Sequence, residues 1–143
     1  MAQYTITWQC GHTTSDQLYG KHDYRYARIE AAKSQLCPNC YKTQQAERNA
    51  KAAAEAATIA QDQGLPTLTG SEKQVTWALT IRREKLAELD ALMTEARRVG
   101  TPDQLAPVEA LATALRAKSD SRYWIDNRSY STRTLINLLN KQA

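Results

Sequence analysis

Residues 8–14 read WQCGHTT and residues 36–42 read LCPNCYK. Together these stretches hold all three cysteines of the 143-residue chain and one of its two histidines. Thiolate sulfur and imidazole nitrogen are the ligand atoms zinc prefers, and three sulfurs with one nitrogen complete a tetrahedral shell. Cys10, His12, Cys37 and Cys40 are therefore read as the ligands of one structural Zn2+ per chain. Gly11, between Cys10 and His12, lets a hairpin tip turn tightly beneath a metal. Cys-Pro-Asn-Cys stands where a helix begins, so the first amides of that helix can donate to thiolate sulfur. A hairpin supplying one ligand pair and a helix N-terminus the other is the arrangement of a treble clef. Four protein ligands close the shell against water, which points to a scaffold and away from a catalytic metal.

Two other chemistries fit fragments of this pattern. Cys10 with His12 could be a nucleophile and its base, but no orienting third group or oxyanion loop stands nearby. Cys37 and Cys40 have the spacing of a redox pair, but the βαβ context of thioredoxin-type proteins is missing. His22 could replace His12, although its place after Gly20-Lys21 reads as an ordinary loop histidine.

Working outward, Tyr4–Trp8 alternates β-branched and aromatic residues as a strand does, and Thr13–Tyr19 can return beside it. A helix is expected over Asp23–Ser34, with Tyr26, Ile29 and Ala32 on one face, and another over Tyr41–Gln63. In the latter, Ala46, Ala50, Ala53, Ala57 and Ala60 form a stripe of small side chains that buries little area alone. It calls for a partner helix, from the same chain or from a second copy in a homodimer. Gly64-Leu65-Pro66 stops the helix. Ser71 with Gln74 forms a capping box for a long helix over Glu72–Val99. Thr101-Pro102 starts the next, with Pro107 as a second start or a kink. Shorter helices are expected over Ser121–Asn127 and Thr132–Lys141. The expected fold is mainly α with a small N-terminal β-hairpin: a treble-clef zinc module with a long helical extension (1–63), a linker (64–71) and an α-helical bundle (72–143).

A 42% hydrophobic and 24% charged composition is globular, and the formal net charge of +4 is compatible with nucleic acid without arguing for it. No uncharged apolar run is long enough to span a bilayer, and MAQYTITWQC lacks the n- and h-regions of a signal peptide. A cytoplasmic protein with no membrane partner is expected. Arg82, Arg83, Lys85, Arg97 and Arg98 share the long helix and could lie along a phosphate backbone. Glu84, Glu88, Asp90 and Glu95 are interleaved with them, however, as on a solvated, salt-bridged face. In RYWIDNR (122–128), Trp124 and Ile125 read as core. The sharper alternative makes Arg122, Trp124 and Arg128 part of a recognition patch. Glycine-rich phosphate loops, serine elbows and paired-carboxylate motifs are absent, so an enzyme is not expected.

The segments YTITWQCGH, QLYGK and LCPNCYK resemble the opening of small treble-clef, zinc-ribbon-like proteins of phages and mobile elements of Gram-positive bacteria. LTGSEKQVTWALTIRREKL and YWIDNR resemble the helical half that accompanies it. The resemblance covers both ends of the chain, with Pro102–Asp120 its least familiar part. It implies zinc at Cys10, His12, Cys37 and Cys40 and nothing catalytic. It also implies a binding role inside the bacterial host cell, such as an anti-CRISPR-like block on a nucleic-acid-handling defence complex, with a host protein or nucleoprotein as partner. The alternatives are a nucleic-acid-binding regulator using the zinc module or the Arg-bearing helices, and a metal-dependent nuclease built around His22 and Asp23.

Overall fold

The computed structural model describes residues 2–142. The chain forms two compact units, Met1–Arg48 and Asn49–Ala143, so the division falls inside a helix and not in the 64–71 stretch.

In the first unit, β1 (Ala2–Thr7) and β2 (Thr13–Leu18) pair antiparallel, with Thr7 opposite Thr13 and Tyr4 opposite Asp16. Side chains alternate across a strand, so Tyr4, Ile6 and Leu18 share one face. Helix α1 (His22–Ala32) covers that face, burying Ala32 with Ile29 against Ile6 and Leu18. The Arg25 guanidinium sits 5.6 Å from the centre of the Tyr4 ring. α1 stops short of Ser34 because the N–H groups of Lys33, Ser34 and Gln35 turn to carbonyls three residues back.

α2 (Pro38–Asp62) begins earlier than its apolar pattern suggests. Pro38 takes the first helical position, where a missing N–H costs nothing. The Cys37 sulfur accepts the Cys40 N–H at 3.4 Å, doing the work of a capping side chain. At the far end, the Leu65 N–H reaches the Ala60 carbonyl and the Gly64 N–H reaches the Gln61 carbonyl, both at 2.9 Å. The alanine stripe is buried only in part: Ala53, Ala56 and Ala60 are covered, while Ala46 and Ala50 are exposed. The covered face is thus rotated from the expected one, through Ala56 instead of Ala57.

The second unit is a helical bundle of α3 (Glu72–Val99), α4 (Pro102–Arg116), α5 (Ser121–Asp126) and α6 (Thr132–Gln142), with the C-terminal turns of α2. Ser71 and Gln74 make the capping box, with bonds of 3.4 Å and 3.0 Å. The core joins Leu86, Leu89 and Met93 of α3 to Leu115 of α4, Trp124 of α5 and Leu135 of α6. Trp124 is 1% exposed, and its indole N–H donates to the Lys118 carbonyl at 3.1 Å. α4 runs through Pro107 from a start at Pro102, and both prolines lie exposed in its first two turns.

The 64–71 stretch is built into this unit. Leu68 is buried in its core, the Thr69 N–H donates to the Ser119 carbonyl at 2.8 Å, and the Ser121 N–H returns to Thr69 at 3.0 Å. Gly70 has φ +141, and a Cβ there would stand 3.2 Å from the Ser121 side chain, so any other residue would be strained and would crowd Ser121. Thr132, at the start of α6, is buried against α3 and bonds to Glu88.

Candidate metal centre

The hairpin tip and the start of α2 meet in one cluster. The tip is closed by the Trp8 N–H on the His12 carbonyl at 3.0 Å and the Gly11 N–H on the Trp8 carbonyl at 2.9 Å. Gly11 has φ +77, a conformation that side chains with a Cβ disfavour. The Gln9 N–H donates to the Gln35 carbonyl at 2.9 Å, which ties the tip to the loop entering α2. The Trp8 indole N–H donates to Thr14 across the hairpin at 2.9 Å.

These restraints bring one ligand atom from each of Cys10, His12, Cys37 and Cys40 to within 4.8 Å of one another. His12 Nδ1 lies 3.2 Å from Cys40 Sγ and 3.7 Å from Cys37 Sγ. Tetrahedral zinc, with bonds of about 2.3 Å to sulfur and about 2.0 Å to nitrogen, places its ligand atoms about 3.5–3.8 Å apart. The donor set and its spacing fit one structural zinc. Amides complete the surroundings: the Cys37 N–H points at Cys10 Sγ and the Cys40 N–H at Cys37 Sγ, each at 3.4 Å.

The same contacts split the thiols. Cys10 is lowered to about 6, first by the Cys37 backbone N–H and then by the backbone at His12. Cys40 is raised to about 11 by its hydrogen bond with the Cys37 side chain, by burial and by its closeness to Cys10. Crowded sulfurs resist carrying several negative charges together, and a divalent cation among them reverses that balance.

His22 stands apart from the cluster, 3.6 Å from the Asp23 carboxylate and stacked near Tyr26. The basic residues of α3 do not form one surface. Arg82 is 2% exposed and donates to the Pro66 carbonyl at 2.7 Å, so its charge is withdrawn from any partner at the surface. Arg83 reaches Glu55 of α2 at 3.6 Å, Lys85 lies 3.8 Å from Glu88, and Arg97 reaches Glu109 of α4 at 3.0 Å. Arg98 pairs with Glu95 on its own helix. Trp124 belongs to the core, which removes it from the recognition patch. Arg122 and Arg128 remain exposed, and Arg128 lies 5.3 Å from the centre of the exposed Trp77 ring.

Two surface features lie outside the expected site residues. A groove of about 920 Å3 beside the zinc ligands is lined by Trp8, Leu36, Pro38 and Tyr41. A second, of about 730 Å3, runs along α3 past Thr76, Trp77 and Thr80. The signal for the first lay in the apolar and aromatic neighbours of the cysteines, which read only as flanks of the metal motif. Among the described residues no helix is long and apolar enough to cross a membrane. No family model, curated protein or solved structure matches the chain.

Proposed function

We propose that this zinc-binding chain is a non-enzymatic binding protein, with the metal holding a display surface in shape. The observation that carries this reading is the closed set of Cys10, His12, Cys37 and Cys40, which offers a metal four protein ligands and no open position for a reacting water. The groove flanked by Trp8 and Tyr41 gives the module an aromatic surface of the kind that anchors partners. The finer reading, a phage or mobile-element protein that blocks a bacterial nucleic-acid-handling defence complex, rests on the resemblance of the zinc-module and α3 sequences. Its test is to mix zinc-loaded chain with purified defence nuclease complexes and to follow co-elution and target cleavage together. Stable co-elution with loss of cleavage is expected for one of them. A chain that joins none and leaves cleavage unchanged disposes of the idea.

Direct nucleic-acid binding is the second reading, favoured by the Arg128–Trp77 pair, an exposed cation over an aromatic face of the sort on which bases stack. Binding that falls steeply with salt would select it, and no binding to single or double strands at low salt would remove it. The nuclease reading keeps only His22 and Asp23, both exposed, and predicts cleavage with added magnesium or manganese.

A further inference from the structure

Arg82 is the most deeply buried charged side chain among the described residues, at 2% exposure. A guanidinium carries five N–H donors, and among the described residues its one hydrogen bond is from Nη1 to the Pro66 carbonyl. Among the described residues no carboxylate lies within ion-pair distance of it. The nearby acids are engaged elsewhere, Glu55 with Arg83 and Asp90 with Arg116. Burial without a counter-charge pushes the guanidinium below its ordinary range. A buried, unpaired charge is costly to a fold, and a methionine of similar length would fill the same slot without that cost.

Arg82 lines a crevice of about 190 Å3 between the last turns of α2 and the middle of α3. The crevice exists because α2 presents alanines there: Ala56 and Ala60 are too short to fill the space in front of Leu79 and Leu86. Arg83 and Asp90 also line it, but each is paired with an opposite charge, Arg83 with Glu55 and Asp90 with Arg116, so Arg82 is left as the uncompensated one.

We propose that this crevice binds a small organic carboxylate, with the Arg82 guanidinium receiving the anion and the alanine and leucine walls taking its apolar body. The planar fork of a guanidinium matches the two oxygens of a carboxylate. Phosphate fits the site less well, because apart from Gln63, Arg83 and Asp90 the remaining lining is apolar and offers its further oxygens few donors. An apolar cavity of about 150 Å3 holds a benzene ring, so a body of about six carbons suits this volume.

The test uses the full zinc-loaded chain and isocaproate as probe, with isocaproamide and inorganic phosphate as controls, followed by methyl-resolved NMR titration and by thermal unfolding. Isocaproate should shift the Ala56, Ala60, Leu79 and Leu86 methyl signals saturably and raise the melting temperature. The amide should bind about tenfold more weakly or worse, since it lacks the charge. Arg82→Gln should erase the preference for the acid. Ala60→Met, which fills the crevice and leaves the guanidinium in place, should abolish binding of both, and it decides the matter if Arg82→Gln does not fold. Absence of a saturable shift overturns the proposal. So does an equal response to acid and amide, a response to phosphate as strong as to isocaproate, or binding that survives Ala60→Met.

Discussion

Thr132 Oγ1 lies 2.6 Å from Glu88 Oε2, and the same carboxylate oxygen receives the Thr132 N–H at 3.4 Å. A side chain of α3 thereby caps the first turn of α6, and the Thr132 hydroxyl is shared with the Lys85 carbonyl at 3.1 Å. Replacing Thr132 by Val keeps the shape and removes the hydroxyl. It should cost about 1–2 kcal/mol in urea unfolding, whereas Thr132→Ser should recover most of the loss.

The same contact sets a pH dependence. The Thr132 hydroxyl, helped by the Lys85 charge, holds the Glu88 carboxyl below its ordinary value of about 4.3. A lowered folded-state pKa stabilises the protein above the unfolded value, and that share is lost as pH falls through the folded one. Glu88→Gln should therefore melt below the wild type at pH 7, and the gap should close as the solution is acidified. A gap that stays constant down to pH 3 would show that the carboxylate charge plays no part.

Zinc removal should act locally. The first unit has a small apolar cluster around Ile6, Leu18 and Ala32, too little to hold a two-stranded hairpin unaided. Structural zinc contributes on the order of 10 kcal/mol in small modules. A strong chelator should collapse the amide dispersion of β1, β2 and α1 and leave the α3–α6 signals in place. Uniform loss across both units would contradict this.

Zinc affinity should rise with pH. Cys40 is raised to about 11, so its proton must leave when metal binds. Competition titrations between pH 6 and 8 should show affinity growing by at least about tenfold per unit, with measurable proton release. A flat profile would mean that the thiol is already ionised before the metal arrives.

Trp124 anchors α5 against α3, and truncating it leaves a large void together with the unpaired Lys118 carbonyl. Trp124→Ala should cost about 3–5 kcal/mol. Trp124→Phe should cost less, since it keeps most of the packing and loses only the indole hydrogen bond. Equal losses would place the energy in the hydrogen bond instead of the ring.

The ligand set was readable because metal chemistry restricts both residue type and spacing: Cys10-Gly11-His12 and Cys37-Pro38-Asn39-Cys40 admit few alternatives. Ser71 with Gln74 announced α3 for a similar reason, a local hydrogen-bond pattern written in local sequence. What stayed hidden depended on partners distant in the chain. Arg82 reads as a solvated arginine until the Pro66 carbonyl is beside it. Alanine methyls at positions 53, 56, 57 and 60 are alike, so only the neighbouring helix chooses the covered face. The sulfur cap of α2, by contrast, was legible in Cys-Pro-Asn-Cys, and only the apolar pattern placed the helix start a few residues late, at Tyr41. The 64–71 stretch has a linker's composition, and nothing local foretells its pairing with residues 119–121.

That pairing has a kinetic side. The bonds from Thr69 to Ser119 and Ser121 span some fifty positions of chain, while the capping box and helix turns close over three or four. Long spans must lose chain entropy before their contacts form, so this rung is expected among the last to close as the bundle folds. Lesions at Gly70 or Thr69 would then leave the speed of refolding nearly untouched and hasten unfolding. The rung serves as a latch on the lifetime of the native state.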